Sequence, residues 1–356
     1  MISEFMKQAA ARDYSRNWQT PGTYPAILQA PKAPARTNGE ISTAENYLRC
    51  IRNEEPLWMP LYQWDASIIW PDAIEEHPVP EADGPDWWGT EWVNAGGSMS
   101  VRPGSRVLSD FACWKEELKW PDLSLVDFET DGRKISASLD PDRIHIYEST
   151  EGLFERLHEL LPFEEALMSF YDEPELLDEF FAGMVDYKNE TFDKVFKYYG
   201  RVDGVNYHDD WGTQRSGFFS KDMFRNQIMP QTKRIVDYIK SKGRFVELHS
   251  CGNNMDYVPY MIEMGFDLWA PQQQINDYDY LYERYSDKMA FAFMVPLHKE
   301  MDEEQVRSAC RDFVERYCDG RRIMAWVRGD MCPSHLLSAA RDEIFNVSLD
   351  LYARKK

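Results

Sequence analysis

A (β/α)8 barrel is the fold predicted by the sequence, an α/β chain with an N-terminal extension and a Trp- and Gly-rich insertion after the first strand. Its 356 residues suit one large barrel carrying added segments. Through the second half, short apolar runs alternate with helix-patterned segments, which implies parallel strands joined by right-handed crossovers. Glycines at 200, 243 and 265 follow three of the helical segments, where helices commonly end. In such a barrel the active site lies at the C-terminal ends of the strands.

Residues 1–55 read as an arm and a lead-in helix. Pro21, Pro25, Pro31 and Pro34 break the first 40 residues into extended chain, suited to wrapping the body or the partner subunit of a homodimer, and a helix follows from about Ile41 to Asn53. Residues 56–356 form the barrel. Its first strand is expected in "PLWMPLYQW" (Pro56 to Trp64), apolar and aromatic enough to be buried. The insertion spans about 77–140, where "EADGPDWWGTEWVNAGGSMSVRPGS" reads as an elaborate loop or small β unit. A long helix over about Glu173 to Tyr199 precedes the strand "VDGVNYHDD". Ser220 then caps a helix that leads to the strand "RFVELHS". Helix 254–265, strands "FDLWAP" and "MAFAFMV", helix 302–318, strand "RRIMAWVR" and a closing helix complete the alternation.

Composition excludes several functions. A net charge of -21 opposes nucleic-acid binding, which needs clustered Lys and Arg to displace counterions from phosphates. No apolar run reaches the roughly 18 residues of a membrane span, and the polar N-terminus lacks a signal-peptide core, so a cytoplasmic protein is expected. Six irregularly spaced cysteines in that setting read as thiols or metal ligands rather than a disulfide framework.

The chemistry concentrates in "FVELHSCGNN". Residues i and i+2 of a strand share a face, roughly 6.5–7 Å apart, so Glu247, His249 and Cys251 can point together into a barrel mouth. "MAWVRGDMCPSH" places Cys332 at another C-terminal strand end, where it can converge on the same ion. One His and two Cys favour zinc over magnesium or calcium, which prefer oxygen ligands. Three protein ligands with an exchangeable fourth place are the pattern of a catalytic site. The opposing reading is chance spacing, since buried cysteine is usually inert packing.

A second stretch, "YHDDWGTQRSGFFS", ends a strand with Asp209 and Asp210. Alternation gives Asp209 the facing of Tyr207 and turns Asp210 the other way. Either carboxylate can be a fourth ligand, an acceptor for His249, a general acid or base, or a helix cap. His208, Trp211 and Gln214 can line the same mouth.

"DDWGTQ", "FRNQIMPQTKRIVDYIKSKGRFVELHSCGN" and "YMIEMGFDLWAPQQ" resemble the uroporphyrinogen decarboxylase superfamily, and within it the zinc-dependent cobamide methyltransferase branch. The resemblance covers about Pro56 to Tyr352. It implies zinc at His249, Cys251 and Cys332. The pattern "WMPLYQW…DWWGTEW…WPDL" is similar to members associated with O-demethylation of methoxylated aromatics in anaerobic bacteria. Porphyrinogen decarboxylases carry an Arg-rich stretch near the N-terminus, and "MPLYQWDAS" has no arginine there. So acidic a chain also attracts polycarboxylate tetrapyrroles poorly.

The resemblance implies transfer of a methyl group from a small methoxylated substrate to the cobalt of a separate corrinoid protein, zinc acting as Lewis acid. Asp209, Asp210 or Glu247 would handle protons, and Trp58, Gln63, Trp88, Trp92 and Tyr207 would hold the substrate, although each tryptophan fits core packing equally well. Two alternatives remain: methyl transfer from methylcobamide to a thiol such as coenzyme M, on the same ligands, and a porphyrinogen decarboxylase-like enzyme or a non-catalytic barrel subunit.

Overall fold

The computed structural model describes residues 41–71, 73–74, 84–95, 98–272, 275–329 and 331–354. The arm expected at 1–40 lies outside the described residues, as do 72, 75–83 and 96–97 of the stretch before and within the insertion. Helix α1 (Thr43–Ile51) opens the described chain, its N-terminus capped by Ser42, whose Oγ accepts the Glu45 N–H at 3.0 Å.

Seven strands form one parallel sheet in the order β1 (Ala66–Ile69), β5 (Ile144–Ser149), β6 (Gly204–His208), β7 (Phe245–His249), β8 (Leu268–Trp269), β9 (Ala290–Met294), β10 (Ile323–Trp326). A parallel bridge between Leu61 and Ala325 brings the first and last edges together, with the Tyr62 N–H donating to Ala325 O at 2.9 Å. The sheet thus curls into a barrel-like ring, as the alternation predicted.

Two strands differ from expectation. Pro56 to Trp64 contributes only the bridge, because the chain makes a 3-10 turn at Gln63–Asp65 before β1 begins. The Asp65 Oδ2 accepts the Leu61 N–H at 2.8 Å and holds that break. Strand β5, "IHIYES", lay hidden behind the insertion.

Strand alternation divides the side chains into two cores. Ile144, Ile146, Phe245, Leu268, Ala290, Ala292 and Met324 share the inner core with Ala44, Tyr47, Cys50 and Ile51 of α1, so α1 plugs the N-terminal end of the barrel. The Arg322 side chain locks the plug, donating to Cys50 O at 3.2 Å and Lys288 O at 2.9 Å. Tyr147, Val205, Val246, Leu248, Trp269 and Phe291 belong to the outer core, which the surrounding helices cover. Prominent among these are the expected long helix (Pro174–Tyr198), Met229–Ser241, Glu303–Tyr317 and the closing Leu337–Arg354.

The insertion folds as an antiparallel sheet of β2 (Gly84–Pro85), β3 (Glu91–Ala95) and β4 (Ser98–Val101), followed by short helices. It is riveted to the helix Leu153–Leu160 by charge. Asp86 accepts the Trp88 and Thr90 N–H groups at 2.8 and 2.9 Å and the Trp92 indole N–H at 3.0 Å. The Arg156 guanidinium, fully buried, lies 2.8 Å from Asp86 and 2.9 Å from Glu159, and stacks 5.0 Å from the Trp88 ring. Among the described residues no helix is long and apolar enough to cross a membrane, and none of the six cysteines forms a disulfide.

Removing one member of a buried charge cluster strands the others, at a cost of about 3–5 kcal/mol. Arg156→Ala should lower unfolding stability by that amount in a urea titration, and loss of less than about 1 kcal/mol would show that the cluster is not what holds the insertion. Burial also pushes the Asp65 carboxyl up to about 7. The folded state then binds this proton more tightly than the unfolded chain, so its contribution to stability is lost as pH rises from about 4 to about 7. Asp65→Asn should flatten that slope, measured by denaturation across the same pH range.

Candidate metal centre at the barrel mouth

Strand register builds the centre. The inward positions of β5, β6 and β7 form rows: Glu148 beside Asn206 beside Glu247, and above them His208 beside His249. The two imidazoles stack with centroids 4.0 Å apart and an interplanar angle of 8°. One row below, the Asn206 amide donates to both Glu148 oxygens at 3.1 and 3.0 Å, and the Tyr62 hydroxyl bonds Glu247. Burial, then the nearby Glu148, lifts the Glu247 carboxyl well above its usual range. Glu247 is therefore the floor of the site rather than part of its rim.

Beyond β7 the chain turns sharply. Gly252 has φ +87°, and a Cβ there would fall 2.2 Å from Gly212 O, so only glycine permits this approach. The turn places the Cys251 Sγ 3.4 Å from the His249 Nε2. Two ligands of one tetrahedral zinc, with bonds of about 2.3 Å to sulfur and 2.0–2.1 Å to nitrogen, stand about 3.5 Å apart, so the pair already has ligating separation. Asp210 accepts the Cys251 N–H through Oδ1 at 2.6 Å and lies 3.9 Å from His249 Nε2. Ligand atoms of His208, Asp210 and His249 all fall within 4.8 Å of one another.

These side chains face an opening: His208 is 24 % exposed, and His249 and Asp210 each 30 %. Burial and then the neighbouring His208 hold His249 down to about 3, so its imidazole is neutral and its lone pair available. Burial, then Asp210, pushes the Cys251 thiol up to about 12. Its thiolate needs a cation close by, which a metal ion would supply. The donor set therefore fits a thiophilic metal.

One participant, Glu155, is marked in the sequence only faintly. Glu155 Oε2 sits 2.8 Å from His208 Nδ1 and also accepts the Gly152 N–H at 3.3 Å at the start of the helix Leu153–Leu160. Burial alone would lower His208, but the Glu155 carboxylate outweighs it and lifts the imidazole to about 10. The pair holds a proton between them. A Gly at the N-cap with Glu three residues on is the legible trace of it, half of a capping box.

Several expected site residues lie elsewhere. Asp209 points to the outer side, as alternation requires, and its Oδ1 accepts the Phe154 and Glu155 N–H groups at 3.1 and 3.0 Å; it is a helix cap. Tyr207 faces the same side and accepts the Leu153 N–H at 3.0 Å. Trp211 is buried against Phe224, Trp58 against Phe345 and the closing helix, and Trp88 and Trp92 within the insertion cluster. These rings are core, because indoles with so much apolar surface gain more from packing than from lining a wet mouth. Gln214 is on the mouth loop, 3.4 Å from Gln272, whose oxygen accepts the Gly252 N–H at 3.1 Å. The Gln63 side chain lies outside the described residues. Cys332 follows β10 as expected and is buried, its Sγ 3.6 Å from Pro333 O; like Cys251, it stands outside the His208–Asp210–His249 group.

Residues 158–315 match the uroporphyrinogen decarboxylase (URO-D) family. No curated protein matches the chain. Among solved structures it is similar to a methyltransferase from Methanosarcina mazei, with 13 % identity, 88 % of this chain and 100 % of that chain covered, and a TM-score of 0.58. An endo-beta-N-acetylglucosaminidase from Cordyceps militaris aligns at 8 % identity over 57 % of this chain and 69 % of that one, with a TM-score of 0.31, too loosely to bear on function. The chain thus carries a uroporphyrinogen decarboxylase family segment within a barrel-like fold that it shares with a methyltransferase.

Proposed function

We propose that this protein is a zinc-dependent methyltransferase that moves a methyl group from a small methoxylated aromatic to the cobalt of a corrinoid carried by a partner protein. The observation that carries the reading is the His249–Cys251 pair, 3.4 Å apart at an open barrel mouth. A neutral imidazole and a thiol that needs a cation suit zinc better than an oxygen-seeking ion. The family match and the fold shared with a methyltransferase support the reaction class.

His249 and Cys251 would hold the ion, with Cys332 the further ligand that the sequence resemblance implies. Zinc there would supply Lewis-acid stabilisation to the departing ether oxygen, since phenolate is a poor leaving group. Asp210 fixes the Cys251 loop through its amide, so the thiol is positioned before substrate arrives. Glu247 and Glu148, bonded by Tyr62 and Asn206, give the floor beneath the imidazoles a polar lining suited to a substrate hydroxyl beside the methoxy group. The product phenolate requires a proton, which Asp210 or the Glu155–His208 pair can pass to it.

Two measurements test this. Purified protein should contain about one zinc per chain, and His249→Ala and Cys251→Ser should lose it while keeping their circular dichroism. With anoxic cob(I)alamin as the corrinoid probe, wild type should convert 2-methoxyphenol to catechol with appearance of the methylcobalamin spectrum, and each variant should fall at least about 100-fold in rate. Inertness toward every methoxyarene tried, coupled with thiol-dependent demethylation of methylcobalamin, would reverse the direction assigned here.

A further inference from the structure

The geometry points to Trp326 and Arg328, at the end of β10, as the substrate-reading wall of the mouth, and to a methoxyarene carrying a carboxylate as the preferred substrate. The inference rests on the methyl-transfer reading above and names the substrate class of that site. Side chains of β10 alternate between the two cores. Ile323, Ala325 and Val327 belong to the outer core, whereas Met324 and Trp326 pack with the inner one, so Arg328 takes the inner facing at the rim. Its guanidinium lies 5.7 Å from the Trp326 ring centroid, as that facing requires. Arg328 stands to Trp326 as Cys251 stands to His249: each comes two residues after the last residue of its strand.

The surroundings suit an anionic arene. Burial, then Asp210, raise the Cys251 thiol, and Arg328 is close enough to draw it back down, which sets the guanidinium within electrostatic reach of the metal site. Arg328 is half-buried, so a carboxylate pairs with it under less screening than on an open surface, and through the two-pronged geometry that guanidinium favours. A chain of net charge -21 attracts anions poorly from a distance, so a local cation is what admits one. Trp326 is also half-buried, unlike Trp58, Trp88, Trp92 and Trp211. Its ring meets Tyr62 edge-on at 5.4 Å and 73°, and Tyr62 bonds Glu247, so this wall adjoins the polar floor. An arene packed on Trp326 with its methoxy group toward the metal turns its carboxylate to Arg328 at the rim, away from Glu148 and Glu247 below.

The Arg328 carbonyl accepts the Met331 and Cys332 N–H groups, each at 3.1 Å, so a change of its side chain leaves that loop bonded. Calorimetric titration with 4-hydroxy-3-methoxybenzoate and with its neutral carboxamide then reads the charge alone. Wild type should bind the carboxylate at least about 10-fold more tightly than the amide. In Arg328→Gln the two affinities should come within about 2-fold of each other, and Arg328→Lys should keep part of the preference. Trp326→Ala should weaken both ligands by about 5-fold or more through lost ring contact. Equal affinities in wild type, an unchanged preference in folded Arg328→Gln, wild-type affinities in folded Trp326→Ala, or no binding of either arene would overturn the inference. Selective binding of the carboxylate with no methyl transfer to cob(I)alamin would support the wall while defeating the reaction assigned above.

Discussion

The parallel pairing of β6 with β7 is the constraint on which the rest depends. Its register sets His208 against His249 and Asn206 against Glu247, so a one-residue slip of either strand would send its imidazole into the outer core. The apolar outer residues prevent such a slip. Val205, Val246 and Leu248 are fully buried under helices, and exposing such side chains costs about 1.5–3 kcal/mol each. The polar mouth is thus held in place by the hydrophobic layer behind it.

The same alternation explains why two adjacent aspartates do different work. Asp209 falls on the outer face and spends its carboxylate on the backbone of the helix Leu153–Leu160, whereas Asp210 lies where the strand has ended and turns to the Cys251 amide. One fixes the helix that carries Glu155, the other the loop that carries the thiol. Together they hold the two sides of the ligand cluster, each through backbone N–H groups that would otherwise be unpaired.

The tryptophans mark where residue type alone leaves two readings open, substrate clasp or core. Their abundance near the N-terminus suggested a clasp for an aromatic ring, yet Trp58, Trp88 and Trp92 are consumed in packing against Phe345, Arg156 and Asp86. An insertion on the rim of a barrel needs a small core of its own, and indole supplies the most apolar area per residue while its N–H can still find an acceptor.

Much was legible in the chain alone. Alternating runs and glycine caps specify a parallel barrel because local pattern and connectivity leave few other topologies for them. The i, i+2 spacing of Glu247 and His249 sets their common facing, and the neighbouring Cys251 completes a pair whose donors suit a metal. What only the tertiary structure decided are the contacts across strands and helices: Glu155 on His208, Gly252 against Gly212, and Tyr62 on Glu247. Sequence periodicity describes which face a side chain takes. It carries no information about which distant element is brought to that face, because that choice is made by how the whole barrel closes and packs.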